Sequence, residues 1–95
     1  MSNQIEGLVA SIGDNGDLIT NISVEQVVNV PKDDSVRIKF DGHETMGIYP
    51  TDHEQPEATM VASLGSSGFL KIEIVGTNLS AMLGIKSGTP VVIDW

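Results

Sequence analysis

The stretch SVRIKFDGHETMGIY, residues 35–49, decides the fold class. An apolar side chain stands at every second position from Val36 to Phe40, and the positions between them are basic. This alternation is typical of a strand with one buried and one solvated face. The Asp-Gly pair that follows is the strongest short signal for a tight hairpin turn. The stretch therefore predicts two antiparallel strands, the second of which runs over 44–49.

Other parts of the chain show the same kind of β-rich run, separated by Gly, Asp, Asn and Pro turn residues. These runs are residues 5–12, 18–22, 59–64, 69–75 and 90–95. With the hairpin they make six or seven short strands, a number typical of a small barrel or sandwich. We predict an all-β fold, a small and mostly antiparallel β-barrel with one or two short helical turns. A single domain over 1–95 is expected from the length of 95 residues.

Two short helical turns are predicted between the strands. Ser23 is followed three residues later by a glutamine, which is the pattern of a capping box over 24–28. Thr77 or Asn78 can cap a second turn, whose apolar residues lie at helical spacing. Gly84 then fits the position just beyond the helix end, where a left-handed conformation is common.

Composition limits the classes of function. The chain has 13 acidic and 5 basic residues, a formal net charge of −8, and no cysteine. Nucleic acid and anionic membranes are disfavoured as partners, because binding to phosphates needs a cationic surface. Disulfides and thiolate nucleophiles are excluded. We expect a cytoplasmic protein, since the sequence shows no signal-peptide pattern and no apolar run of 18 residues.

Two segments together resemble a known family. GDLITNI (residues 16–22) is similar to the F-G-N-L-x-T-N-I signature of the S-adenosylmethionine hydroxide adenosyltransferases, a family that includes the fluorinase and chlorinase. VASLGSSGFLKIEIVGTNLSAMLGIKSGTPVVI (residues 61–93) resembles the closing segment of those proteins. The resemblance covers nearly the whole chain but only the family's C-terminal β-barrel domain.

The resemblance has consequences for the function. In that family the larger N-terminal domain holds most of the catalytic apparatus. The cofactor pocket lies between that domain of one subunit and the C-terminal domain of its neighbour in a trimer. The resemblance therefore implies that this chain would supply one half of such a pocket.

The loop that reads the cofactor in the family has changed here. The family pattern is Asp-x-Phe-Gly-Asn. Its aspartate contacts the methionine portion of the cofactor, its phenylalanine packs near the ligand, and its asparagine hydrogen-bonds adenine. The aligned residues are Gly13, Asn15 and Asp17, and only Gly16 is kept. An asparagine amide offers adenine a donor and an acceptor, whereas an ionised Asp17 offers acceptors only. Replacement of the aromatic side chain by Asn15 also removes a packing surface.

The second motif is kept in part. Ser66 and Ser67 stand where the family holds the methionine carboxylate, and Ser67 takes the place of an arginine found in the halogenating members. Gly76 falls where a backbone group meets the adenine edge. The resemblance thus implies a degenerate ligand site of Asn15, Asp17, Ser66, Ser67 and Gly76.

The residues of the 13–17 loop, taken alone, leave three interpretations open: a retained nucleoside site, a structural corner or a calcium loop. Asn, Asp and Gly are the residues that turns demand, which favours the corner. The calcium pattern fits poorly, because counting from Asp14 puts Gly16 where an oxygen ligand is needed. For the neighbouring Thr20 and Asn21 the alternatives are a polar ligand pair and side chains that tie down the following turn, and the residue types favour the second.

Other candidate sites are weaker. His43-Glu44 and Asp52-His53-Glu54 contain zinc-ligating residue types, but both lie in predicted turns, and we interpret them as solvated loop residues. The Gly-Ser-Ser-Gly turn at 65–68 is one residue short of a nucleophile elbow and precedes a strand. We therefore predict no catalytic residue, no metal and no cofactor.

The leading hypothesis is a non-catalytic, stand-alone relative of the family's C-terminal domain. It would act as an oligomerising or protein-interacting module, a dimer or trimer in solution, because the surface that faced the missing domain should carry apolar residues. One alternative is a module that binds adenosine or a related small molecule. Another is half of a split S-adenosylmethionine hydroxide adenosyltransferase, completed by a separately encoded protein partner.

Overall fold

A computed structural model describes residues 3–95. Within them lie seven strands, one 3-10 turn (Val24–Val27) and one short helix, α1 (Leu79–Leu83). The strands are β1 (Gln4–Ile12), β2 (Leu18–Ser23), β3 (Arg37–Phe40), β4 (His43–Met46), β5 (Met60–Leu64), β6 (Phe69–Ile74) and β7 (Pro90–Asp94). All six ladders between them are antiparallel, in the order β4-β3-β7-β1-β2-β6-β5.

The sheet curls until its two edge strands meet, which makes a nearly closed barrel. The Tyr49 N–H donates to the Ala62 carbonyl (2.8 Å), and the Leu64 N–H donates to the Tyr49 carbonyl (2.9 Å). The Thr45 hydroxyl donates to the Met60 carbonyl at 3.2 Å. These bonds cover part of the exposed β4 and β5 edges. The all-β, mostly antiparallel barrel predicted from the sequence is confirmed.

The core is built from the apolar face of each strand. Val36 and Ile38 are fully buried and Phe40 nearly so, whereas the basic residues between them are exposed. On β6, Leu70 and Ile72 are buried in the same way. The period-two patterns therefore predicted which faces turn inward.

The β3–β4 hairpin turns where the sequence predicted. Asp41 and Gly42 have φ angles of 48° and 80°, the two positive values that a type I′ turn requires. Strand β4 is shorter than the predicted run over 44–49. It ends at Met46 because Gly47, with φ of 84°, turns the chain, and its N–H donates to the Val36 carbonyl (3.0 Å).

Both helical turns are capped as predicted. Ser23 forms a complete capping box with Gln26. The Asn78 side chain caps α1 by accepting from the Ala81 N–H at 2.8 Å. Gly84 ends the helix in the left-handed conformation (φ 69°). Of the apolar residues of α1, Leu79 is buried but Met82 is 65% exposed.

The sequence interpretation had Thr20 and Asn21 tie down the following turn through nearby backbone. The Thr20 hydroxyl does accept from the nearby Ile22 N–H at 3.2 Å, but the other bonds of the two side chains reach neighbouring strands. The Thr20 hydroxyl donates to the Leu70 carbonyl on β6 at 2.8 Å. The Asn21 side-chain oxygen accepts from the Leu8 N–H on β1 at 2.9 Å. Both bonds lie where the register of β2 shifts against its neighbours. The side chains therefore replace ladder bonds that the irregular backbone loses.

Across residues 3–95, no helix is both long and apolar enough to cross a membrane.

Candidate functional site

The 13–17 corner is fixed by its own backbone and by α1. The Gly13 N–H donates to the Asp17 carbonyl, and the Gly16 N–H donates to the Gly13 carbonyl, both at 2.9 Å. The Gly16 carbonyl accepts from the Ser80 N–H at 3.0 Å. The corner is thus a structural turn that is held against the first turn of the helix.

A cavity of about 520 Å³ opens between this corner, the end of β6 and the start of α1. Its lining residues are Asn15, Asp17, Glu73, Ile74, Gly76, Thr77 and Asn78. This volume lies within the range of small-molecule pockets, roughly 300–1,000 Å³. The corner is therefore also one wall of a concave site.

The structure brings together three of the five residues in the predicted ligand site. Asn15, Asp17 and Gly76 line the cavity. Ser66 and Ser67 lie in the turn before β6, at the opposite end of that strand, and both are exposed. Strand rise places the two ends about 16 Å apart. The two groups are therefore not neighbours within one copy of the chain.

Asp17 is a mostly buried acidic group of the cavity. Its side chain is 16% exposed, and its nearest cation is the Lys71 ammonium, 3.8 Å from Oδ2. Burial raises the pKa of Asp17 above its ordinary value of 3.8, and the nearby Lys71 charge offsets part of this rise. Lys71 also lies 3.5 Å from Glu73. The Lys71 ammonium therefore lies close to both the Asp17 and the Glu73 carboxylates.

His53 supports Glu73 from outside the cavity. Its Nε2 lies 2.6 Å from the Glu73 carboxylate. Its Nδ1 accepts from the Gln55 N–H at 3.3 Å, so the ring proton of the neutral form sits on Nε2 and is donated to Glu73. The Tyr49 ring meets the imidazole edge-on, with centroids 6.1 Å apart.

The sequence interpretation of His53 as a solvated loop residue is wrong. Its side chain is only 9% exposed. The polar segment after β4 folds back over the outer face of the sheet, which brings His53 against β6. A charge pattern along one loop does not report this long-range contact, because it depends on how the loop crosses the sheet.

We expect His53→Ala to lower the free energy of unfolding by about 1–3 kcal/mol, because it removes the donor to a mostly buried carboxylate and the acceptor for the Gln55 N–H. Chemical denaturation measures this loss. The matched control is Asp52→Ala, an exposed neighbour in the same loop that should change stability by less than about 0.5 kcal/mol. Equal effects of the two substitutions would contradict the assigned role of His53.

Residues 3–95 contain few groups that could catalyse a reaction or bind a metal ion. No three His, Asp or Glu side chains of that range are placed to hold a metal ion. Neither His43 nor His53 hydrogen-bonds to Ser66 or Ser67 in the described part of the chain. The cavity instead offers carboxylate, amide and hydroxyl groups, which can bind and orient a ligand.

Four polar residues at the cavity were missed as site residues from the sequence. Glu73, Thr77 and Asn78 line it, and Lys71 lies beside Asp17. The alternation along β6 places Lys71 and Glu73 on the outward face, and this is the signal that could have found them. Asn78 was identified only as a helix cap, which it also is.

A family model described as SAM hydroxide adenosyltransferase C-terminal domain, where SAM is S-adenosylmethionine, matches residues 7–92. The chain belongs to this family. The match confirms the resemblance drawn from the two sequence segments. It also places most of the barrel, including the 13–17 corner and the β6–α1 connection, within the family's C-terminal domain.

Solved structures share the fold of this SAM hydroxide adenosyltransferase C-terminal domain. It is similar to an uncharacterized conserved protein from Thermotoga maritima, with a TM-score of 0.75 and 23% identity. It is also similar to a conserved hypothetical protein from Thermus thermophilus, with a TM-score of 0.72 and 27% identity. Each comparison covers 93% of this chain and 34% of the other. No curated protein matches the sequence.

Proposed function

We propose that this C-terminal-type domain is a non-catalytic, self-associating module whose nucleoside site no longer reads SAM. The observation that carries the proposal is the chemistry of the cavity wall. Asn15 and Asp17 line it at the positions where the resembled family has phenylalanine and asparagine. The cavity is kept, but the groups that would stack on adenine and hydrogen-bond it are replaced by Asn15 and Asp17.

The absence of catalysis is proposed on two grounds. In the resembled family most of the catalytic apparatus lies in a different domain, and this chain spans 34% of the length of each of the two structural neighbours. Within residues 3–95 neither histidine hydrogen-bonds to a hydroxyl, and the one hydroxyl bound to a carboxylate, Ser35 on Asp33 at 2.5 Å, lies in an exposed turn outside the cavity. We therefore expect the isolated chain to leave SAM uncleaved. A chromatographic assay for adenosine and methionine after incubation with SAM measures this.

Self-association is proposed because the barrel exposes apolar side chains. On β1, Leu8 and Ile12 are 39% and 37% exposed, and in that part of the strand only Val9 is buried. Phe69 and Met46 are also exposed. A domain of this size has a thin core, so burying such residues against another copy would add to its stability.

We expect sedimentation equilibrium to give a dimer or trimer for the wild type. The double substitution Leu8→Glu with Ile12→Glu should shift it toward monomer by at least about tenfold in dissociation constant, because carboxylates would be desolvated in the contact. Val28→Glu is the matched control, since Val28 is 70% exposed and lies outside β1. A wild type that stays monomeric at high concentration would overturn the self-association.

A second candidate function is a binding module for adenosine or a related small molecule. The cavity of about 520 Å³, with the Gly76 backbone at its rim, favours it. A third is half of a split enzyme, favoured by the family membership. Mixing the chain with an N-terminal domain of a family member and assaying SAM cleavage tests the third. Activity that needs both proteins would replace the non-catalytic proposal.

A further inference from the structure

The side chains that line the cavity are rich in acceptors. Asp17 and Glu73 contribute carboxylates, and no Lys, Arg or His is among the lining residues in the described part of the chain. Asn78 has its carbonyl oxygen committed to the Ala81 N–H (2.8 Å), which leaves its amide as a donor. Because both charged groups of the wall are carboxylates, which only accept, the wall favours a ligand that brings donors to them.

The two carboxylates differ in how well they are satisfied. Glu73 receives the His53 Nε2–H at 2.6 Å. Asp17 is mostly buried, and among the described residues its only cation is Lys71 at 3.8 Å and none donates a hydrogen bond to its carboxylate. A separation of 3.8 Å is too long for a hydrogen bond. The Asp17 carboxylate thus has free acceptor capacity within the described part of the chain.

We propose that the cavity binds a ligand edge with two adjacent N–H donors, as in a 2-amino-6-oxopurine of guanine type, through bidentate contact with the Asp17 carboxylate. This inference rests on the proposed function, because it requires that the cavity no longer recognises adenine. Adenine presents a ring acceptor beside its amino donor, and that acceptor would face a carboxylate oxygen. Guanine presents its N1–H and its 2-amino group side by side.

A guanidinium group carries the same pair of donors and adds a positive charge. It would compete with Lys71, which already lies between Asp17 and Glu73 at 3.8 and 3.5 Å. A neutral guanine leaves Lys71 in place. The cavity volume of about 520 Å³ also leaves room for a nucleoside. The structure therefore favours the purine over the guanidinium, and agmatine serves as the guanidinium probe in the test.

The experiment is an NMR titration of the full chain with guanosine, inosine, adenosine and agmatine, in separate samples at pH 7. We expect guanosine to bind about tenfold or more tightly than adenosine, in line with the discrimination of a bidentate contact. Inosine, which keeps N1–H but lacks the 2-amino group, should fall between them. The shifted amide signals should be those of residues 13–17 and 76–78.

Two variants make the test specific. Asp17→Asn restores an amide, which donates and accepts, so it should lose the guanosine preference and gain adenosine affinity by about tenfold. Asp14→Asn is the matched control, because Asp14 is exposed in the same corner and does not line the cavity. Lys71→Gln should raise affinity for agmatine more than for guanosine, since it removes the competing ammonium.

Each result of the titration with the four probes either supports the proposal or overturns it. A preference for guanosine or agmatine over adenosine that Asp17→Asn abolishes supports the two-donor edge, and the tighter of the two probes identifies its source. Adenosine binding equal to or tighter than guanosine, or no binding of any of the four at millimolar concentration, overturns it. The oligomeric state is measured separately by sedimentation. A monomer that binds guanosine would defeat the self-association alone.

Discussion

Gly16→Ala is expected to lower the free energy of unfolding by about 2–4 kcal/mol, because it combines a strained backbone with a clash. Gly16 has φ of 84°, a conformation that an alanine adopts only at a cost. A Cβ there would lie 1.9 Å from the side-chain oxygen of Asn78 and 2.9 Å from its Cα. The side chain could move, but the backbone atom belongs to the helix cap.

The matched control is Gly42→Ala, which has nearly the same φ (80°) but nothing within 4 Å of the added Cβ. It should lose only about 1–2 kcal/mol, the strain of the left-handed conformation alone. Urea denaturation of both variants measures the difference. Equal losses would show that the corner does not lie against α1 as described.

Leu18→Ala should be equally damaging, with a loss of about 2–5 kcal/mol in the free energy of unfolding. Leu18 is fully buried, opens β2 and faces Ile72 across the β2–β6 ladder. Its truncation leaves a cavity in the core of a small domain, which buries little apolar surface in total. Because it follows Asp17 directly, the substitution should also loosen the wall of the ligand cavity.

Met82→Ala is the control for Leu18→Ala. Met82 is 65% exposed on α1, so its truncation should change stability by less than about 0.5 kcal/mol. Thermal unfolding followed by circular dichroism compares the two. A loss of less than about 1 kcal/mol for Leu18→Ala would contradict its placement in the core.

Much of the barrel could be predicted from local sequence. The alternation from Val36 to Phe40, the Asp-Gly turn after it and the cap at Asn78 each depend on neighbours within a few residues. Such signals are carried by propensity and periodicity, which the sequence states directly. They sufficed to predict the strands, their buried faces and the helical turns.

The remaining features depend on contacts between distant segments. Thr20 binds the Leu70 carbonyl 50 residues away, and His53 reaches Glu73 across 20 residues. Neither contact follows from a local pattern, because each is set by where the strands shift register or where a loop crosses the sheet. The same reason hid Lys71 and Glu73 from the prediction of the site, whereas Asn15, Asp17 and Gly76 were reached through the family resemblance.

The proposed function requires that this domain has kept the cavity but no longer recognises SAM. Calorimetric titration of the wild-type chain with SAM tests this requirement most directly. We predict no heat of binding up to millimolar SAM, because Asn15 offers no aromatic packing surface and Asp17 no donor to adenine. Saturable binding of SAM to the wild-type chain with a micromolar dissociation constant would contradict it.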